Sequence, residues 1–472
     1  MKAKKLLKTG LLLAACFALA YQPLYSVSPL EYINNGTIKL GINTAWGGGI
    51  GYFSRMGADV KNVINHADPG RNVQQSFYGD YDGSFFGKDA NGNDVPWRYN
   101  PVQGGDKMGN GSLITGKTNW GDAVYVQTNP KKWSWDNVDS NDVMEQWIML
   151  RGDVAQIVYR YTYNGNINHP SWNQEMPAPY FLYELGNLAF YSGAFYYRTP
   201  SQIPNLVNHD AIADLTTGEY WAAYVNAAAP TGWGCGILTP GTNYIQYHRT
   251  YKAGDDSSDI GPNTNYFSPI RVLPLTIGYT VQYTAYMNIG NLSDIRSRFV
   301  NIRNNRLDLA LNGSFESGTT SPNNWTWDTD HGGSYSYYKS GGVYVYDGTD
   351  SVSLTAVSDG SIWILPYWKQ VQNGVTGGTA YKIKFRAKCE QLYNGTAGIR
   401  IIQFNRNGGF LDDSGIIATS TVSGNDSSFQ YKEFNFTTLG DTATIEIRLQ
   451  LNSLDDWARV WFDAVQFSLM NI

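Results

Sequence analysis

The stretch His169-Pro170-Ser171-Trp172-Asn173-Gln174-Glu175-Met176-Pro177-Ala178-Pro179 puts an imidazole and a carboxyl on one short, proline-bounded segment. Apolar neighbours disfavour the charged form of Glu175 and raise its pKa, which suits a general acid or base working near neutral pH. The plainer reading is a carboxylate that holds a neighbouring strand end or bonds Arg71. A second block, Asn62 to Asp80, carries His66, Arg71, Gln75, Tyr78 and Asp80. Arg71 offers a planar fork that grips a carboxylate, and Tyr78 can donate a proton. A third block, Trp97 to Asp106, sets Asn100, Gln103 and Asp106 among aromatic walls. Two chemistries follow from these types. Glycosidic hydrolysis needs two carboxyl groups across the bond, so Asp80, Asp106 and Glu145 compete as partners of Glu175. Elimination from a uronate needs a base and a charge neutraliser, for which Arg71, His169 and Tyr78 are the candidates. His66 and His169 are two of only five histidines; a lone histidine more often packs than reacts.

The elements that must position these groups are strands. Ala155 to Tyr163, Tyr279 to Met287 and Thr444 to Leu449 alternate apolar and polar residues, as half-buried antiparallel strands do. Clusters of Gly, Asn, Asp and Pro between such runs mark turns. One helix is expected over Asn291 to Asn304, with Ser293 and Asp294 as caps and several arginines. The triple glycine after Trp46 lacks the Lys-Ser/Thr ending of a phosphate cradle. Strands around Trp221, Trp233 and His248 read as core, with at most a minor part in a substrate wall. No fixed period of a propeller or solenoid is visible.

Composition agrees with an all-β protein: aromatics reach 14%, charged residues only 16%, and 50 of 472 residues are glycine. A net charge of −5 gives no polybasic footprint, so nucleic acid is not expected as a partner. Lys2, Lys4, Lys5 and Lys8 precede an apolar run from Leu11 to Leu19 and the small-residue site Ala18-Leu19-Ala20. This reads as a signal peptide over residues 1–20, too short for a permanent membrane span, and implies secretion. Leu13-Ala14-Ala15-Cys16 resembles a bacterial lipobox and leaves open a lipid anchor on Cys16 at the cell surface. Cys235 and Cys389 lie in different expected domains, so no disulfide framework is implied; two buried small residues are the simpler reading.

Asn312-Gly313-Ser314-Phe315-Glu316-Ser317-Gly318, then Trp368-Lys369-Gln370-Val371 with Gly378 to Ile383, then Val460-Trp461-Phe462-Asp463-Ala464-Val465 occur in that order. The set resembles carbohydrate-binding modules of the family 4, 9 and 22 type. That resemblance implies a β-jelly-roll sandwich over 307–472 and a structural Ca2+ on Glu316 and Asp463. The alternative is that each carboxylate merely caps a turn. It also implies sugar binding, for which Trp325, Trp327, Trp363, Tyr367, Trp368 and Trp457 offer ring faces, with Gln370 and Gln403 as polar partners. The Asn62–Asp80 block after its glycine turn resembles a segment of galactose-mutarotase-like supersandwich proteins. The expected architecture is therefore a large antiparallel β-supersandwich over 31–305 followed by the jelly roll. The expected function is a secreted glycoside hydrolase acting on a polysaccharide. The alternatives are a polysaccharide lyase and a non-catalytic glycan-binding protein of the cell surface.

Overall fold

The computed structural model describes residues 29–57, 61–89, 91–206, 212–251, 258–304, 310, 312–330, 332–338, 343–357, 363 and 365–470. The leader, Cys16 and the expected boundary near residue 306 lie outside the described residues. Among those residues no helix is long and apolar enough to cross a membrane.

The chain is all-β, with every pairing between named strands antiparallel. A ten-stranded sheet runs in the order Leu30–Asn34, Ile38–Asn43, Ile50–Arg55, Val73–Ser76, His169–Leu182, Thr264–Leu275, Tyr244–Thr250 and Ala213–Thr216, with Pro101–Val102 and Lys131–Lys132 attached at its side. It faces a nine-stranded sheet whose centre is Thr280–Asn291, Val154–Thr162, Val143–Arg151 and Ala123–Asn129. The period of two makes this packing. Ala155, Ile157, Tyr159 and Tyr161 enter the core between the sheets together with Met144, Ile148, Ala285 and Met287. The first sheet contributes Leu40, Phe53, Val73, Phe77, Phe181 and Phe267.

The glycine turn closes one end of this core. Gly47 and Gly48 have φ of +53° and +71°, and a Cβ on Gly47 would lie 1.9 Å from the Gln103 carbonyl oxygen. Only glycine fits such a position without displacing backbone.

The outward-facing residues at the centre of the nine-stranded sheet are covered too. The helix Leu292–Arg303 lays Leu292, Ile295, Phe299 and Ile302 on Trp221, Ala223, Leu238 and Tyr286. Its N-cap is Asn291, without a side-chain cap bond, rather than Ser293 or Asp294. Its arginines anchor it, Arg296 by two bonds to Glu219 and Arg298 to Asp153. Trp221 is thus core beneath the helix, away from any cleft.

A second pair of sheets follows. Thr326–Thr329, Pro366–Asn373, Thr444–Ser453, Leu392–Phe404 and Phe410–Ile416, with Val422–Gly424, form six strands. Ser334–Tyr338, Ser351–Thr355, Arg459–Leu469, Ala380–Glu390 and Gln430–Thr437 form five. This sandwich docks on the outer face of the nine-stranded sheet. Ala123 and Met149 join its hydrophobic core, Arg160 donates to the Gly377 carbonyl at 3.0 Å, and Gln282 donates to the Thr379 hydroxyl at 3.2 Å. Arg406 stacks over Tyr125 at 4.6 Å. Cys235 and Cys389 are buried and unbridged.

Candidate functional site

Glu175 sits in the His169–Leu182 strand with Met176 behind it in the core, so its own side chain faces outward from the ten-stranded sheet. The neighbouring strands place Ser76 opposite Glu175, Tyr266 opposite Tyr180, and His248 opposite Tyr266. These residues share one face. Tyr78 donates its hydroxyl to one Glu175 oxygen at 3.0 Å, and Tyr266 donates to the other. Tyr266 is flanked by the Tyr180 ring at 4.9 Å and the His248 ring at 4.4 Å.

Burial raises the Glu175 pKa, and the Tyr266, Ser76 and Tyr78 hydroxyls pull it back by bonding the anion. Burial also drives Tyr78 and Tyr266 well above the ordinary phenol value, and the Glu175 charge adds to the effect. The phenols therefore stay protonated and act as donors. Glu175, Tyr78 and Tyr180 are partly exposed residues of this outer face, while the carboxyl group itself is deeply desolvated.

Arg71 is fixed at the rim of the same face. Its Nε meets Asp68 at 3.1 Å, and its Nη1 donates to Asn65 at 3.2 Å and to the Gly261 carbonyl at 3.0 Å. It is close enough to Tyr180 to lower that phenol's pKa against the larger effect of burial. His66 does not face the site directly. It is buried and bonds Asp259 at 3.3 Å, and Asn62 donates to the same carboxylate at 3.0 Å. This holds the segment that carries Gly261, Arg71's partner.

The other carboxylates expected to pair with Glu175 are engaged elsewhere. Asp106 is fully buried and accepts from the Met108, Asn110 and Asn137 amides and the Asn110 side chain, which makes it a loop clamp. Glu145 lies on the outer face of the nine-stranded sheet, bonded by Tyr125 at 2.7 Å and Arg160 at 3.5 Å beneath the second sandwich. Asp80 is exposed and accepts from the amide of Tyr81. His169 is also corrected. It packs between the Tyr99 and Tyr163 rings and accepts the Asp80 amide on Nδ1, and burial lowers its pKa.

Three amides expected to touch substrate are structural. Gln75 donates to the Glu145 carbonyl, and its backbone amide is received by Gln103. Gln103 donates to the Gly47 carbonyl, and Asn100 to Ser76 Oγ and the Phe77 carbonyl. All three are buried. Tyr266, Tyr180, Ser76 and His248 were missed as site residues. For Tyr266 and His248 the signal was the two-residue alternation of the Thr264–Leu275 and Tyr244–Thr250 strands, once the core face is known; Tyr180 and Ser76 stand on the strands that carry Glu175 and its partner.

In the second sandwich Trp325 and Trp368 are core residues, donating Nε1–H to the Asn312 and Ser353 carbonyls. Gln370 is buried and bonds the Asn324 carbonyl. Trp368 presents no surface to a sugar, and Trp325 and Gln370 reach only the wall of a seam cavity. Trp363 and Trp457 are exposed at 48% and 57%. The outer side of the six-stranded sheet instead carries a lattice that was not anticipated. Arg400 pairs with Asp413 and Asp330, Arg448 pairs with Asp330 and Glu446, and Arg448 lies 3.9 Å over Tyr367. A cavity of about 300 Å3 opens at the seam, lined by Asp122 and by Asn324, Trp325, Thr326, Lys369, Gln370 and Val371. It lies across the first sandwich from Glu175.

Glu316 and Asp463 converge on one loop, but as acceptors of its amides. Glu316 takes the Thr349 and Asp350 N–H groups, each at 2.9 Å; Asp463 takes those of Tyr346, Asp347 and Ala464. Donors surround both carboxylates where a cation would need further oxygens. Among the described residues no group of three or more His, Cys, Asp or Glu is placed to hold a metal ion. As placed, the pair fits the loop-clamp reading. Burial raises Asp463 to about 6.

The sequence matches no protein-family model and no curated protein. Solved structures share parts of the architecture. A galactose mutarotase-like protein from Lactobacillus casei ATCC 334 overlaps 55% of this chain and 100% of its own, at 11% identity and a TM-score of 0.35. The CBM22-1 xylan-binding domain of Paenibacillus barcinonensis Xyn10C overlaps 34% and 93%, at 16% identity and a TM-score of 0.25. The enzymatically active domain of bacteriophage CBA120 tailspike protein 4 overlaps 35% of this chain and 22% of its own, at 17% identity and a TM-score of 0.28. The likenesses are of both suspected kinds, mutarotase-like and carbohydrate-binding module. At these scores the chemistry rests on this chain's own side chains.

Proposed function

We propose that the chain is an exported carbohydrate-active enzyme. Its first sandwich moves a proton on a sugar with Glu175, and its second sandwich binds polysaccharide. The observation that carries this reading is the Glu175 carboxyl held by two tyrosine hydroxyls on a solvent-reached face, with a pinned arginine at the rim. Burial raises the pKa of this carboxyl and so makes its anion a stronger base, as proton abstraction requires.

Elimination from a uronate-containing glycan has more support than hydrolysis. Hydrolysis calls for a second carboxyl facing the first; Asp106 and Glu145 are committed to other partners, and the exposed Asp80 is bonded, among the described residues, only by its neighbour's amide. For elimination, Arg71 would hold the uronate carboxylate and the Glu175 carboxylate would take the proton α to it. Tyr78 would give its proton to the leaving oxygen as the bond to that oxygen breaks and a carbon–carbon double bond forms. His169 has no part in this scheme.

The test is incubation of the parent and of Glu175→Gln with soluble polysaccharides, following both ultraviolet absorbance of an unsaturated product and new reducing ends. Elimination produces both signals and hydrolysis only the second. Equal turnover by folded Glu175→Gln would refute the site. Binding without turnover on every glycan would make the chain a glycan-capture protein.

A further inference from the structure

We propose that the outer face of the five-stranded sheet in the second sandwich grips the carboxylates of a uronate-containing glycan through Arg386 and Lys384. This rests on the reading of that sandwich as a polysaccharide binder, names its ligand class and stands apart from Glu175. The strand Ala380–Glu390 carries Lys382, Lys384, Arg386 and Lys388 at every second position. Tyr381, Ile383, Phe385 and Ala387 between them lie in the core, so the four cations share the outer face. The strand pairs with Gln430–Thr437 without a register shift, so no bulge turns Lys384 or Arg386 away.

Two of the four are already matched. Lys382 meets Glu433 at 2.7 Å, and the buried Lys388 lies 3.6 Å from Glu390. Glu433, opposite Lys384 in the register, is taken by Lys382 and by the Tyr431 hydroxyl. Asp463, opposite Arg386 on the neighbouring strand, takes the amides of Tyr346, Asp347 and Ala464. Among the described residues, neither Lys384 nor Arg386 has a hydrogen bond or an ion pair.

The six-stranded sheet shows the contrary case, with Arg400 and Arg448 each tied to acids of their own face. Arg386 instead lies against two rings, Tyr346 at 4.3 Å and Tyr431 at 4.7 Å, which are exposed at 51% and 47%. Ring contact holds the guanidinium by its faces and leaves the N–H groups at its edge for a ligand. A planar fork with unused donors fits a carboxylate, and exposed rings beside it suit the apolar face of a sugar. Together they select a carboxylated sugar over a neutral one. Lys384, about 7 Å along the strand, supplies the charge for a second carboxylate of the same polymer. A chain of net charge −5 lacks the broad basic surface of a nucleic-acid binder.

The test measures binding by the full chain bearing Arg71→Ala, which removes the first sandwich's own hold on a uronate. The probes are polygalacturonate, its neutral methyl ester, xylan and β-1,4-galactan. Polygalacturonate should bind more tightly than its ester. Adding Arg386→Ala should weaken the acid form about tenfold or more and close the gap between the two polymers. Adding Lys384→Ala, which removes a side chain bonded to nothing in the fold, should act in the same direction by a smaller factor. Equal affinity for both polymers, or undiminished polygalacturonate binding by both variants, would overturn the assignment; glycan binding that persists would leave the polysaccharide reading of the sandwich standing. No binding of any glycan would refute both. Capture of a DNA duplex or of phosphatidylserine vesicles that Arg386→Ala abolishes, with polygalacturonate unbound, would make the occupant a phosphate and overturn the glycan assignment.

Discussion

Glu175 and Asp142 are held by the same chemistry in two parts of the first sandwich. Asp142 accepts the hydroxyls of Tyr99 at 2.5 Å and Tyr161 at 2.7 Å, much as Glu175 accepts those of Tyr78 and Tyr266. Burial raises both carboxyls. The difference is placement: Asp142 is fully buried between the sheets, its second oxygen taken by the Asn164 amide, whereas Glu175 is a partly exposed residue of the outer face. A tyrosine-clamped carboxyl is thus a structural pin when sealed. It becomes a proton-transfer group only where a ligand can reach it.

The contrast is sharpest under substitution. Glu175→Gln should lower turnover by about a hundredfold or more while leaving the unfolding midpoint close to the parent. The mirror-image experiment is Asp142→Ala, which strands two buried hydroxyls and should cost about 1–3 kcal/mol of stability. Denaturant unfolding would show the loss, and activity per folded molecule should persist.

A finer separation uses the clamping hydroxyls. Because the Tyr266 hydroxyl stabilises the Glu175 anion, Tyr266→Phe should move the carboxyl limb of the pH–rate profile to higher pH. Tyr99→Phe should not move it. Equal displacement by both would erase the distinction between the two sites.

The second sandwich provides the smallest effect. Asp463 is raised from 3.8 to about 6, so the folded state binds the extra proton in that window. Its contribution to stability is full below about pH 3.8, declines as pH rises, and is gone above about pH 6. Asp463→Asn should flatten that part of the stability–pH curve. Adding or chelating Ca2+ separates the two readings of this pair: a loop clamp leaves Tm unchanged, and at a Ca2+ site the added ion raises it.

The alternation of Ala155–Tyr163 and Thr444–Leu449 made the strands legible, because a period of two is a local property. Glu175, Arg71 and Tyr78 were legible as candidates because each lies in a block dense in polar and aromatic residues, although the separation of 97 residues between Tyr78 and Glu175 hid their meeting. Tyr266 was not, since 91 residues separate it from Glu175 and only strand pairing brings them together. Asp106 and Gln103 misled because loop clamps and ligand-binding loops use the same polar residues. Trp325 and Trp368 misled because alternation reveals two faces without telling which is the core.

The most direct test is a crystal structure of Glu175→Gln with the longest oligosaccharide that the parent converts. The predicted result is a sugar ring on the outer face of the ten-stranded sheet, within hydrogen-bond distance of the substituted side-chain amide and of Arg71. A sugar bound only to the second sandwich or at the Asp122 seam, with the Glu175 face bare, would contradict the account.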